Sequence, residues 1–147
     1  MRIPVRLNGA EAVLEASAAE SLLTALRRWG LRSVRSSCEI GVCGACTVLL
    51  DGQSVSSCLL LAPMARGREL LTMEGVAPDD EVARSFMEHT AYQCGYCGPG
   101  FILTVKELLS ENARPTEAEL REALGGNLCR CGSYLKILEA CRALIAG

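Results

Sequence analysis

The chain has 147 residues, a length for one domain or two small ones, and half of them are apolar, enough for a packed core. Its net charge of −2, with both signs interspersed, speaks against the basic faces of nucleic-acid and membrane-surface binders. No stretch approaches the ~20 apolar residues of a membrane span; the longest apolar run is Cys58 to Ala62.

From the N-terminus, Ile3, Val5 and Leu7 alternate with other residues, the period of a half-buried strand. Asn8-Gly9 is a strong hairpin turn, and residues 11–15 return as the second strand. Ser17 and Glu20 have the spacing of a capping box. Leu22, Leu23, Leu26 and Trp29 then follow at helical intervals, and Gly30 suits the position just past the helix end. A polar loop from Ser33 to Ser37 leads to Cys38. Thr47–Leu50, Asp51-Gly52 and Gln53–Ser56 read as a second hairpin, and Glu69–Met73 as one further strand. Beyond Gly75 the pattern turns helical. Pro78-Asp79-Asp80 opens a helix carrying Val82 and Phe86. Gly98-Pro99 opens another, with Phe101, Ile102, Val105, Leu108 and Leu109 on one face. Thr116 and Glu119 form a capping box for a third helix, which Gly125-Gly126 ends. Ser133 caps a fourth, in which Tyr134, Leu138, Cys141 and Ile145 share a face. The expected fold class is therefore α+β, with a small strand-rich domain over residues 1–75 and four short helices over residues 76–147.

Eight of the nine cysteines fall into two quartets. Cys38, Cys43, Cys46 and Cys58 form C-x4-C-x2-C-x11-C, whose opening is the plant-type ferredoxin spacing. Cys94, Cys97, Cys129 and Cys131 form C-x2-C-x31-C-x-C. A [2Fe–2S] cluster takes four thiolates, so the eight suffice for two clusters. Gly41 and Gly44 lie between ligands of the first quartet, where glycine lets backbone N–H groups approach sulfur closely. The second quartet precedes two expected helix starts, so two positive helix ends are expected to face one anionic cluster and to lower its thiol pKa values. Zinc also takes four cysteines, but the 31-residue gap and the tight C-x-C are less usual for it. A Rieske centre needs two histidines, and the chain has only His89, read as a helix-face residue. Cys141 lies on the apolar face of the last helix and reads as a core residue. The N-terminus has neither a hydrophobic signal core nor a twin-arginine motif, so the expected location is cytoplasmic, where fixed cysteine spacings favour metal chemistry over disulfides.

The segments CEIGVCGACTVLLDG…SCLLLA, QCGYCGPGFIL and GNLCRCGSYLKI together resemble the small iron–sulfur subunit of the molybdenum hydroxylases, the family of xanthine oxidase, aldehyde oxidoreductase and carbon monoxide dehydrogenase. The resemblance runs from the first strand to the last helix. It implies an N-terminal β-grasp ferredoxin-like domain and a C-terminal all-α four-helix bundle, each holding one [2Fe–2S] cluster through its own quartet. It implies a large partner subunit carrying a molybdenum–pterin cofactor, and either a medium FAD-binding subunit or another electron acceptor. Under it the chain transfers electrons and performs no substrate chemistry alone. Cys131 matches the cluster ligand that contacts the pterin, and Gln93 matches a residue that hydrogen-bonds the same cofactor; without the resemblance Gln93 reads as a polar loop residue. Arg130 reads equally as a charge-balancing residue or as a solvated arginine. The chain departs from the usual pattern at Gly98, where C-T-P-G is common, and at Gly132-Ser133, where C-R-C-T-G-Y is common. It also lacks the lysine and glycine usual before the first ligand. A free-standing ferredoxin and a zinc-stabilised binding module are the competing functions.

Overall fold

Strand β1 (Arg2–Leu7) buries every second residue, and Ile3, Val5 and Leu7 enter the core of a computed structural model that describes residues 1–146. Residue 147, the end of the expected second domain, lies outside the described residues. Asn8 and Gly9 both take positive φ, 52° and 83°, as a tight hairpin turn demands, and β2 (Ala10–Glu15) returns antiparallel to β1. Asp51 and Gly52 repeat the device between β3 (Thr47–Leu50) and β4 (Gln53–Ser56). The short strand β5 (Glu69–Leu71) then runs parallel to β1 and antiparallel to β3, which gives one five-stranded sheet in the order β2-β1-β5-β3-β4.

Helix α1 (Leu22–Trp29) packs beneath this sheet through Leu22, Leu23, Ala25 and Leu26. Its N-cap is Ser21, whose hydroxyl accepts from Thr24 N–H, and not Ser17. The reason is tertiary. Leu22 N–H donates to Leu60 O at 2.7 Å, and Ala62 N–H donates to Glu20 O at 2.8 Å, so residues 20–22 are held extended against the segment after β4. Glu20 keeps half of the expected box by accepting from Ser17 N–H, but its carboxylate otherwise pairs with Arg28. Gly30 ends the helix at φ 111°, as expected, while Trp29 stays half exposed, off the buried stripe.

Four helices follow: α2 (Glu81–Glu88), α3 (Gly98–Glu111), α4 (Glu117–Leu124) and α5 (Tyr134–Ala146). Asp80 caps α2 by accepting from Val82 and Ala83 N–H. Thr116 and Glu119 make both halves of their capping box on α4. The buried faces of the helices meet around Phe86, Phe101, Leu120 and Ile137, in a cluster separate from the one under the sheet. Each such fully buried side chain contributes roughly 2 kcal/mol. The two halves touch where α3 lies along β3 and β4. There Glu107 accepts from Ser54 N–H at 2.9 Å and from its hydroxyl.

Candidate metal centres

The loop between α1 and β3 carries the first three thiols. Glu39, Gly41 and Gly44 all have positive φ, which curls the chain so that its N–H groups turn inward. Val42 and Cys43 N–H each lie 3.4 Å from Cys38 Sγ, and Ala45 N–H lies 3.5 Å from Cys43 Sγ. Cys58 reaches the same place from beyond β4. Buried Ser57 fixes it there, because its hydroxyl donates to Cys46 O at 2.7 Å. Cys43 neighbours Cys38, and Cys46 and Cys38 both neighbour Cys58. The N–H groups of Ile40, Cys43 and Val42 hold the Cys38 thiol down to about 6, whereas burial and then neighbouring Cys46 push Cys58 up to about 11.

The second quartet is assembled from two loops. Cys97 is the N-cap residue of α3, and exposed Cys94 precedes it by one turn of loop. Cys129 and Cys131 lie between α4 and α5. Tyr96 N–H approaches Cys94 Sγ at 3.5 Å, and Ser133 N–H approaches Cys129 Sγ at 3.4 Å. Cys131 and Cys129 both neighbour Cys94, and Cys129 and Cys94 both neighbour Cys97. Their acidities differ from expectation at Cys97. Burial, reinforced by Cys129, pushes this thiol up to about 12 although it sits at a helix start. Cys94 is lowered by Tyr96 N–H and then by Cys131. Burial raises Cys129, but hydrogen bonding led by the Ser133 N–H outweighs it and leaves the thiol below its ordinary value. Gln93 is exposed and donates from Nε2 to Cys131 O at 3.3 Å, so these two residues share one surface. Arg130 is exposed. His89 ends α2 with its Nδ1 2.9 Å from Ser85 O, and Cys141 is buried in the helical core.

Residues that the spacing did not single out join the two quartets. Leu128 N–H donates to Cys43 O at 2.9 Å, which links a thiol residue of the first quartet to the neighbour of Cys129. Buried Asn127 donates from Nδ2 to Gly44 O at 3.2 Å and accepts from the Thr104 hydroxyl at 3.1 Å. Tyr96 donates its hydroxyl to Ser36 O at 2.5 Å, and the Arg35 guanidinium stacks 5.2 Å from the centre of its ring. A cavity of about 370 Å³ opens between the quartets, lined by Cys43 from the first and Cys94, Cys97 and Cys129 from the second. The only sequence signal for Asn127 is its place two residues before a thiol in GNLCRC.

This donor set fits a binuclear cluster. A single zinc ion draws four sulfurs to one point at ~2.3 Å each. Among the described residues no three His, Cys, Asp or Glu side chains are gathered closely enough to hold one metal ion. Four thiols per site, with N–H groups aimed at the sulfurs, suit two irons that each take two thiolates.

Comparison with known proteins agrees with this chemistry. A family model described as a 2Fe-2S iron-sulfur cluster binding domain matches residues 5–72, and one described as a [2Fe-2S] binding domain matches residues 72–142. The nicotinate dehydrogenase small FeS subunit of Eubacterium barkeri is 44% identical over 144 residues, which are 95% of this chain and 92% of that protein. In the crystal structure of quinoline 2-oxidoreductase from Pseudomonas putida 86, one chain superimposes with a TM-score of 0.91 at 39% identity, covering 100% of this chain and 97% of that one. The aldehyde oxidoreductase of Desulfovibrio desulfuricans ATCC 27774 gives a TM-score of 0.92 at 36% identity, and covers 99% of this chain but only 17% of that longer one.

Proposed function

We propose, for a chain that belongs to the small [2Fe–2S] iron–sulfur subunits of the molybdenum hydroxylases, a two-site relay between a molybdenum–pterin centre and a flavin or other acceptor. As a member of that family it is a subunit of an oxidoreductase, with one [2Fe–2S] binding domain in each half. In our reading Cys38, Cys43, Cys46 and Cys58 hold one cluster and Cys94, Cys97, Cys129 and Cys131 the other. When bound, each cluster accepts and releases one electron at a time. Residues 1–75 act as a β-grasp ferredoxin-like domain, and residues 76–147 as a four-helix bundle. The separate cores under the sheet and among the helices support that division.

The observation that carries the proposal is the set of backbone N–H groups aimed at thiol sulfurs at both sites, together with the Leu128–Cys43 hydrogen bond between them. The chain's own work is to hold the sulfurs, aim N–H donors at them and keep the two sites in contact. Direction follows from the surfaces. Gln93 and Cys131 sit together where Cys94 is exposed, beside exposed Tyr92, Tyr96 and Leu128, and we assign this face to the large subunit and its pterin. At the other site Ile40, Val42 and Leu59 are each more than half exposed, and we assign that end to the medium FAD-binding subunit or another acceptor. No helix is long and apolar enough to cross a membrane. The cytoplasmic assignment rests on the cysteine usage.

The test is iron, zinc and acid-labile sulfide analysis of the assembled complex, followed by reductive titration under EPR. Two distinct [2Fe–2S] signals are expected. One signal, or none in iron-replete protein, overturns the proposal; zinc without sulfide supports a binding module, and purification without a large molybdenum subunit supports a free-standing ferredoxin.

A further inference from the structure

Two buried side-chain polar atoms among the described residues have no hydrogen-bond partner, Arg35 Nε and Ser133 Oγ. Both belong to segments that carry thiols. Arg35 already has an aromatic partner in Tyr96. Ser133 is 5% exposed, and its hydroxyl caps nothing at the start of α5. A buried hydroxyl left without a partner is costly, so its persistence points to an acceptor that arrives later.

The acceptor beside it is Cys129. The backbone N–H of Ser133 already donates to Cys129 Sγ at 3.4 Å, which brings the whole residue against that sulfur. A neutral thiol is a weak acceptor, whereas a thiolate bound to iron is a charged one.

We propose that the Ser133 hydroxyl is held for the cluster of the second quartet, donates to the Cys129 thiolate when that cluster is bound, and raises the cluster's reduction potential. The inference rests on Cys129 being a ligand, as assigned above. Reduction adds one electron to the cluster and breaks no bond. The added charge spreads onto the sulfurs, so a donor aimed at one of them stabilises the reduced state more than the oxidised state. The site is buried, which strengthens the effect relative to water.

Redox titration of the assembled S133A complex, followed by EPR with iron and sulfide assayed in parallel, tests this. At the wild-type midpoint the ratio of reduced to oxidised cluster at the second site should fall about threefold to tenfold, tenfold being ~59 mV for a one-electron couple. The first site should keep its midpoint, and S133T, which restores a hydroxyl, should recover most of the shift. Unmoved midpoints, or an equal shift at both sites, overturn the proposal while two normal signals keep the relay itself intact. Should S133A lose iron, S133G is titrated in its place; loss of iron from both variants would assign Ser133 to the fold of the loop and overturn the proposal as well. Failure of the underlying relay is read separately, from wild-type protein that lacks two signals.

Discussion

Cys38 and Cys141 mark the two extremes of thiol chemistry in this chain. Three backbone N–H groups hold Cys38 down to about 6, while burial, with Glu117 a lesser cause, pushes Cys141 up to about 12. The first is the thiol most ready to ionise, as the proposed ligand role requires, and the second is a small apolar core residue. C141A should therefore retain iron, sulfide and both EPR signals, at a cost of about 1 kcal/mol in urea unfolding. Loss of either signal would make Cys141 part of a site. The burial of Cys141 was legible in the sequence, because helical spacing is a local pattern. The raised pKa of Cys97 was not, since burial depends on what packs against the residue. Ser57 and Asn127 were illegible for the same reason. Their partners, Cys46 O and Gly44 O, lie 11 and 83 residues away.

Helix starts show the same contrast at the next scale. Thr116 and Glu119 satisfy one another within a single turn, so the sequence pattern was enough to place the start of α4. The start of α1 depends on hydrogen bonds to Leu60 and Ala62, and moved from Ser17 to Ser21 accordingly. Asp80 joins both kinds of interaction. It caps α2, and its carboxylate also pairs with Lys106 of α3. Burial acts to raise its pKa, but Lys106 and the capping N–H groups outweigh burial and leave it below the usual carboxylate value. A carboxylate depressed in the folded state stabilises above its unfolded pKa of about 3.9, and the benefit is lost as pH falls through the folded value. D80A should thus cost about 1–2 kcal/mol. Denaturation curves from about pH 8 to pH 5 should show a constant deficit, because Asp80 is ionised throughout that range. A deficit that shrinks across that range would mean that Asp80 titrates where the pairing says it does not.

On the scale of the whole molecule, the seam between the halves decides whether two sites become one path. Gly44 has φ 71°, and a side chain there would collide with Asn127 and with Gly126 O; one at Gly100 would collide with Gly44 O. Small residues thus let the loop of the first quartet lie against α3 and the segment that leads to Cys129. Asn127 fastens the contact through its bonds to Gly44 O and Thr104. N127A should destabilise the protein by about 2 kcal/mol. Amide exchange should show Leu128 and the 43–46 loop losing protection together, while the hairpin of β1 and β2 keeps its own. Exchange confined to one side of the seam would show that Asn127 does not couple the halves. By itself, the sequence determined how the cysteines are spaced, where the hairpins turn and which stretches are helical, because spacing, periodicity and turn chemistry act over a few neighbouring residues. Only the tertiary structure decided that thiols from distant segments become neighbours, that Leu128 N–H meets Cys43 O, that Ser133 turns its N–H to Cys129 Sγ while its Oγ lies buried without a partner, and that Asn127 closes the seam. These contacts join residues that chain proximity does not bring together, and burial and long-range hydrogen bonding exist only once the two halves have packed.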